Sequence, residues 1–233
     1  MALPGTLLDD RSAAAILSGL GATTWILGEA AALDDEVDRL ATATTAPAVW
    51  LGHSLGGIVA LHLALRHPRR VAALVLLGAN ARAGRDSSET RRAAQWALAQ
   101  REGLAALARG KLAPGYGLTP ELDTDDAMLS SLAAQAAAVG LQRFENQLAY
   151  ARQRPGLLSP RQPLHCPVLA LSGELDTLCP PAQSDEIVAL VQLPGRAEHH
   201  RLAGAGHLFP MQQPGSVIDR LHPFLASIEE SPP

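Results

Sequence analysis

The 233-residue sequence is 47% hydrophobic and 18% charged, with a formal net charge of −4. That balance excludes a disordered chain and a nucleic-acid-binding surface, and the length suits one domain with a sizeable core. Basic charge is almost all scattered arginine, with Lys111 the only lysine, and no apolar run reaches the length of a membrane span. No charged-then-apolar leader opens the sequence, and Cys166 and Cys179 are expected too far apart along one strand and its loop for a disulfide. Together these features predict a cytoplasmic protein.

Taken in order, Met1–Pro4 predicts a very short strand ending at the Pro4–Gly5 turn, followed by a helix over about 11–19. Thr23–Leu27 predicts a second strand, and a helix over about 34–44 follows. Pro47 precedes an apolar strand over 48–52, which runs through Gly52–His53–Ser54–Leu55–Gly56–Gly57 into the helical pattern from Ile58. His67–Pro68 ends that helix, and Val71–Leu77 predicts another buried strand. From about Ala83 to Pro163 the alternation stops, and helical patterns near 87–108, 120–138 and 140–153 succeed one another. Strand 168–172, helix 182–192, a strand near 197–202 and a closing helix over 215–228 complete the chain. Strands alternating with helices at this spacing predict an α/β fold, a three-layer αβα sandwich around a mostly parallel sheet of about six strands. Residues 1–82 and 163–233 would form this core, and 83–162 a helical lid carried at the strand ends.

The glycines at the two positions of G-x-S-x-G around Ser54 have a physical reason. A turn this tight strains the serine backbone and brings strand and helix so close that a Cβ at Gly52 or Gly56 would clash. The hydroxyl is thereby pushed out above the sheet edge, at a helix N-terminus that favours negative charge. Such a hydroxyl needs a base, and histidine suits that task near neutral pH. Among eight histidines, His207 alone follows a glycine-rich turn directly after the last strand, on the edge where Ser54 should emerge. His53, beside the serine, is expected to point elsewhere. The base in turn needs an acid to fix its tautomer. Gly173–Glu174–Leu175–Asp176 closes the preceding strand, and Asp176 lies further into the loop than its competitor Glu174. The stretch after Leu77 offers Gly78, Ala79 and Asn80 but no carboxylate.

Leu3–Pro4–Gly5–Thr6, Gly52–Gly57, Arg154–Pro155, Cys166–Pro167, Gly173–Asp176, Pro180–Pro181 and Gly204–Ala205–Gly206–His207 together resemble the α/β-hydrolase superfamily, in family order and over nearly the full length. The likeness is greatest to its small esterase-type members, including pimeloyl-carrier methyl esterases, enol-lactone hydrolases and cofactor-free haloperoxidases. The resemblance implies Ser54 as nucleophile, His207 as base and Asp176 as orienting acid. It further implies an oxyanion hole from the backbone N–H groups of Leu55 and Thr6, worth about 3–4 kcal/mol per donor. Three departures accompany it. Pro4 replaces the usual histidine before Gly5, the family's first two strands are missing, and Gly28–Glu29–Ala30–Ala31 replaces a glycine-rich loop, which would leave that side of the pocket open. Dimerisation would compensate for the shortening, so monomer and homodimer are both open.

Aromatics are 3% of the chain, so the pocket is expected to be aliphatic and to suit short or medium acyl esters. Its candidate lining is Trp96, Tyr116, Phe144, Leu178 and Leu208, with Leu104, Met128, Leu148 and Phe209 nearby. No metal-ligand spacing and no dinucleotide or phosphate loop is visible, so neither metal nor cofactor is expected. The sequence thus predicts a serine carboxylesterase acting on a small-molecule ester through an acyl-enzyme. A lactonase, carbon–carbon bond hydrolase or perhydrolase would use the same three residues. A catalytically idle ligand-binding fold would not need them all.

Overall fold

Val71–Leu77 is seven consecutive apolar residues, the composition of a strand covered on both faces, and it forms the middle of the sheet. The computed structural model describes residues 1–84, 89–112 and 126–230. Its strands are β1 (Ala2–Leu3), β2 (Ala48–His53), β3 (Val71–Leu77), β4 (Val168–Gly173) and β5 (Ala197–Leu202). They lie side by side in chain order, every neighbouring pair parallel. Parallel neighbours need crossovers, and helices supply them. The described helices are α1 (Ala14–Leu17), α2 (Leu33–Ala41), α3 (Leu55–Arg66), α4 (Glu89–Glu102), α5 (Leu104–Leu107), α6 (Asp126–Val139), α7 (Leu141–Gln153) and α8 (Pro181–Val188), with α9 (Phe209–Gln212) and α10 (Pro214–Glu230) following the last strand. A π-helical turn over Ala108–Leu112 follows α5.

Side chains alternate across the sheet and build a separate core on each face. Trp50, Leu74, Leu76 and Val168 meet Leu40 of α2 and Val59 and Leu63 of α3. Leu51, Val75, Leu77, Leu169 and Leu171 meet Val217, Leu221 and Phe224 of α10. Helix α3 is buried from Leu55 to Ala64, which explains why its sequence is apolar all round rather than striped. None of the described helices is long and apolar enough to cross a membrane.

The fold is the α/β architecture expected, with three corrections. The sheet has five strands rather than six, because Thr23–Leu27 makes only a single parallel bridge, Thr24 to Ala2. Its would-be partner β1 is two residues long, and Ala2 exhausts the pairing through its N–H to Thr23 and its carbonyl to Trp25. The helix expected over 11–19 divides into a 3₁₀ turn, Asp10–Ser12, and α1. The first pattern after β3 breaks at Gly103, whose φ of 87° lies in the left-handed region that ends helices.

Register puts the functional candidates on one edge. Gly52 is level with Leu76, Leu77 with Leu171, and Gly173 with Leu202, so β2, β4 and β5 all deliver their C-terminal loops to the same rim. The crowding foreseen at the elbow is present: a Cβ on Gly52 would sit 2.5 Å from the Gly56 carbonyl oxygen, and one on Gly56 would sit 2.0 Å from that of Leu3. Gly56→Ala is therefore expected to cost about 3 kcal/mol or more, lowering Tm by about 6–12 °C in a chain of this size. Gly215→Ala, where an added Cβ meets nothing within 4 Å, should leave a circular-dichroism melt unchanged or slightly higher.

Candidate active site

Ser54 is the single residue between β2 and α3, and it adopts φ 51° and ψ −115°. A non-glycine residue in that region costs about 1–3 kcal/mol and persists only where its surroundings enforce it. Here the Ser54 N–H is anchored on the Leu77 carbonyl at 2.9 Å, and its own carbonyl already accepts the first helical bond, from Ile58. The half-buried hydroxyl is left at the N-terminus of α3.

His207 meets it from the loop after β5. Its Nε2 lies 2.9 Å from Ser54 Oγ, and its Nδ1 lies 2.7 Å from Asp176 Oδ2. A carboxylate only accepts, so Nδ1 carries the proton and a neutral ring presents a bare Nε2 to the hydroxyl. Asp176 is fixed on its other oxygen, where Oδ1 accepts the N–H groups of Leu178 and Cys179, both at 2.8 Å. Burial alone would raise its pKa. The hydrogen bond from His207, with those backbone donors, outweighs it and holds the carboxyl below the ordinary aspartate value. Glu174, the competitor in sequence, instead points its Oε2 at the Gly204 N–H, 2.9 Å away in solvent.

A second serine, histidine and aspartate are joined in the same sense. Ser172 Oγ lies 2.8 Å from His199 Nε2, and His199 Nδ1 lies 2.7 Å from Asp185 Oδ1. Ser172, however, is wholly buried within β4, and Asp185 is shared with Arg201. The difference between the two sets is access and strain rather than residue type.

His53, expected to point elsewhere than the serine, turns to the backbone of His207. Its Nε2 donates to the His207 carbonyl at 3.0 Å, and the two rings lie 5.1 Å apart. Its Nδ1 is buried without a partner among the described residues, close to where a Cβ on Gly5 would stand. Sequence patterning had no signal for this, since it depends on the path of the loop after β5. Asn80, from the stretch without a carboxylate, reaches Cys179 Sγ at 3.5 Å and so braces the Asp176 loop. Cys166 and Cys179 are both buried free thiols, each pushed up to about 12 by burial.

The remaining candidates fall in three groups. Leu55 opens α3, where its N–H has no helical acceptor, and Thr6 lies in the turn after β1. Neither N–H has an acceptor among the described residues. Phe144 is wholly buried beside Leu7 and Leu107, with its ring 6.2 Å from that of half-buried Trp96. Leu208 packs with Leu8 and Leu132, flanked by Met128 and Met211, while Leu178 is half-buried and supplies Asp176 with an N–H. Tyr116 lies outside the described residues. The loop Gly28–Ala31 is closed rather than open. Helix α7 covers it through Asn146 to the Gly28 carbonyl, Tyr150 to the Ala30 carbonyl and Arg143 to Glu29. No set of three or more histidine, cysteine, aspartate or glutamate side chains among the described residues is arranged to hold a metal ion.

Residues 22–214 match the family model described as the alpha/beta hydrolase fold. Among curated proteins, a pimeloyl-[acyl-carrier protein] methyl ester esterase of Neisseria meningitidis serogroup B is 29% identical over 184 residues. That match covers 72% of this chain and 62% of the relative, so the chain spans about three fifths of the length of the relative it matches. Among solved structures, a thermophilic esterase from Thermogutta terrifontis superposes with a TM-score of 0.82 at 21% identity, covering 97% of this chain and 89% of that one. An enol-lactonase from Burkholderia xenovorans superposes with a TM-score of 0.77 at 20% identity, covering 97% and 90%. At these identities the two structures show a shared fold alone.

Burial keeps two histidines neutral: His53 is lowered to about 3 and His62 to about 4. The unfolded chain would protonate both near 6.5, so it binds more protons than the folded one below that pH. Stability is therefore expected to fall as pH drops from about 6.5 towards 4. His62→Leu should flatten the loss of Tm across that window, measured by scanning calorimetry in a series of buffers. An undiminished slope would remove His62 from the account.

Proposed function

The chain belongs to the alpha/beta hydrolase fold family, and from that premise we propose that it is a serine carboxylesterase hydrolysing small or medium aliphatic esters through an acyl-enzyme. One observation carries the reading: a buried imidazole bridges the Ser54 hydroxyl at 2.9 Å and the Asp176 carboxylate at 2.7 Å, with the bare nitrogen turned to the serine. Esterase names among the relatives and structural neighbours favour this bond type. The low aromatic content of the chain, 3%, favours an aliphatic acyl group over a charged one.

In this reading Ser54 Oγ attacks the acyl carbon while His207 Nε2 takes the hydroxyl proton. The imidazolium that forms faces Asp176, whose charge stabilises it and whose hydrogen bond keeps Nδ1 protonated. The carbonyl oxygen, now negative, receives the free N–H groups of Leu55 and Thr6, with the N-terminal end of α3 adding its dipole. Collapse expels the alcohol, which takes the proton back from His207. A water then repeats the sequence on the acyl-serine and releases the acid.

Turnover of p-nitrophenyl esters of increasing chain length tests the assignment. Ser54→Ala is expected to abolish it, and unchanged turnover would refute the nucleophile. Asp176→Asn keeps the shape but offers His207 an amide donor, favouring the wrong tautomer, so kcat should fall about 10³–10⁴-fold with KM little altered.

A further inference from the structure

The turn carrying Thr6 has a conformation its own sequence does not favour. Leu8 N–H closes it onto the Gly5 carbonyl at 3.1 Å, so Thr6 and Leu7 are its two central residues. Leu7 sits at φ 59°, where turns of this kind carry glycine or asparagine, yet it is a buried leucine. Two side chains from the helices between β3 and β4 hold it there. Gln147 of α7 accepts the Leu7 N–H on Oε1 at 3.0 Å and donates from Nε2 to the Leu27 carbonyl at 2.9 Å. Gln135 of α6 accepts the Asp9 N–H at 3.2 Å, and its own Nε2 rests on Ser131 Oγ. Both glutamines are almost wholly buried.

Of the N–H groups from Thr6 to Asp9, those of Leu7, Leu8 and Asp9 are donated, and that of Thr6 has no acceptor among the described residues. The turn lies against the elbow, since a Cβ on Gly5 would stand 3.3 Å from Ser54 Cβ. The Gly5 carbonyl and the Thr6 N–H share one rigid peptide plane, so the bond from the Leu8 N–H to that carbonyl, which the turn makes with Leu7 in its left-handed conformation, also fixes the direction of the Thr6 N–H. We propose that Gln147 is a positioning residue for the oxyanion hole, locking Leu7 in its left-handed conformation so that the Thr6 N–H stays free and aimed at the ester oxygen. The proposal rests on the esterase reading above. It also makes α7 part of the catalytic apparatus without touching substrate.

Loss of one oxyanion donor elsewhere costs 10²–10³ in kcat, and loss of its alignment should cost part of that. Gln147→Met keeps the volume and removes both hydrogen bonds. It is expected to lower kcat about 10–100-fold with KM changed less than threefold. An alkyl trifluoromethyl ketone, whose carbonyl carbon takes Ser54 Oγ while the proton passes to His207, needs the same hole for its oxygen. Its affinity should fall by a similar factor. Gln147→Glu, buried and protonated, can repeat both bonds and should retain most of kcat. A folded Gln147→Met with kcat within twofold of wild type, or with its loss confined to KM, would overturn the proposal. If Gln147→Met does not fold, amide NMR of the wild type decides: on ketone binding the Thr6 N–H resonance should move strongly, and an unmoved one overturns the proposal. Ser54→Ala run alongside separates the two failures. Its surviving activity would sink the esterase reading, whereas its silence beside an undiminished Gln147→Met would sink only the role of Gln147.

Discussion

The seating of α3 against the end of β1 is the constraint from which the site follows. No side chain fits between Gly56 and the Leu3 carbonyl, so the first turn of the helix lies directly on the backbone that leads into Gly5 and Thr6. This one contact sets two things at once. It forces the strand-to-helix turn so tight that Ser54 takes a positive φ, and it brings the turn after β1 beside the serine. Two N–H groups without an acceptor among the described residues, from segments about fifty residues apart in sequence, are thereby brought close to the same turn. The strain at Ser54 is borne by the parallel sheet, through the bond from its N–H to the Leu77 carbonyl.

The electrostatics around His207 have a consistent direction. Asp176 is held ionised by the bonds it accepts, and it is the negative charge a buried imidazolium needs. The neighbouring His53 is kept neutral by burial, and a charge gained by His207 would add to the effect. Were it charged, two cations 5.1 Å apart would repel by about 3 kcal/mol at an effective dielectric near 20. His53 therefore supports the carbonyl of His207 with an uncharged donor. Ser172, His199 and Asp185 make the contrast. Their hydrogen bonds are as short, but a serine sealed in a strand has neither the strained backbone nor the helix terminus that would expose and activate it.

Sequence was informative where the physical demand falls on local residue type. The glycines at 52 and 56 announce a turn that no Cβ can enter, and the alternation of apolar runs with amphipathic ones announces a parallel sheet. The end of each strand then predicts which loop reaches the rim, and Ser54, Asp176 and His207 do meet there. What stayed illegible depends on how distant segments pass one another. Thr23–Leu27 has a strand's composition, but its ladder is limited by the length of β1, which composition does not reveal. The bond from His53 to the His207 carbonyl requires knowing where a loop turns. Gln135 and Gln147 look like ordinary polar positions in helical patterns. Only the fold shows that both are buried with their amides turned onto the backbone near the serine.

The helices between β3 and β4 invite a description as a cover that opens and shuts, but α7 is bound in a way that opposes it. Gln147 and Asn146 donate to the carbonyls of Leu27 and Gly28, Tyr150 donates to that of Ala30, and Gln147 accepts from Leu7. Each such bond contributes about 1 kcal/mol when made, and each polar group left dry and unpaired would cost about 1–3 kcal/mol. Phe144, on the same helix, is wholly buried against Leu7 and Leu107. Lifting α7 would break all of these together and release the Thr6 turn from its strained conformation. Any motion that admits a substrate must leave α7 in place, so this helix acts as a wall of the site rather than as its door.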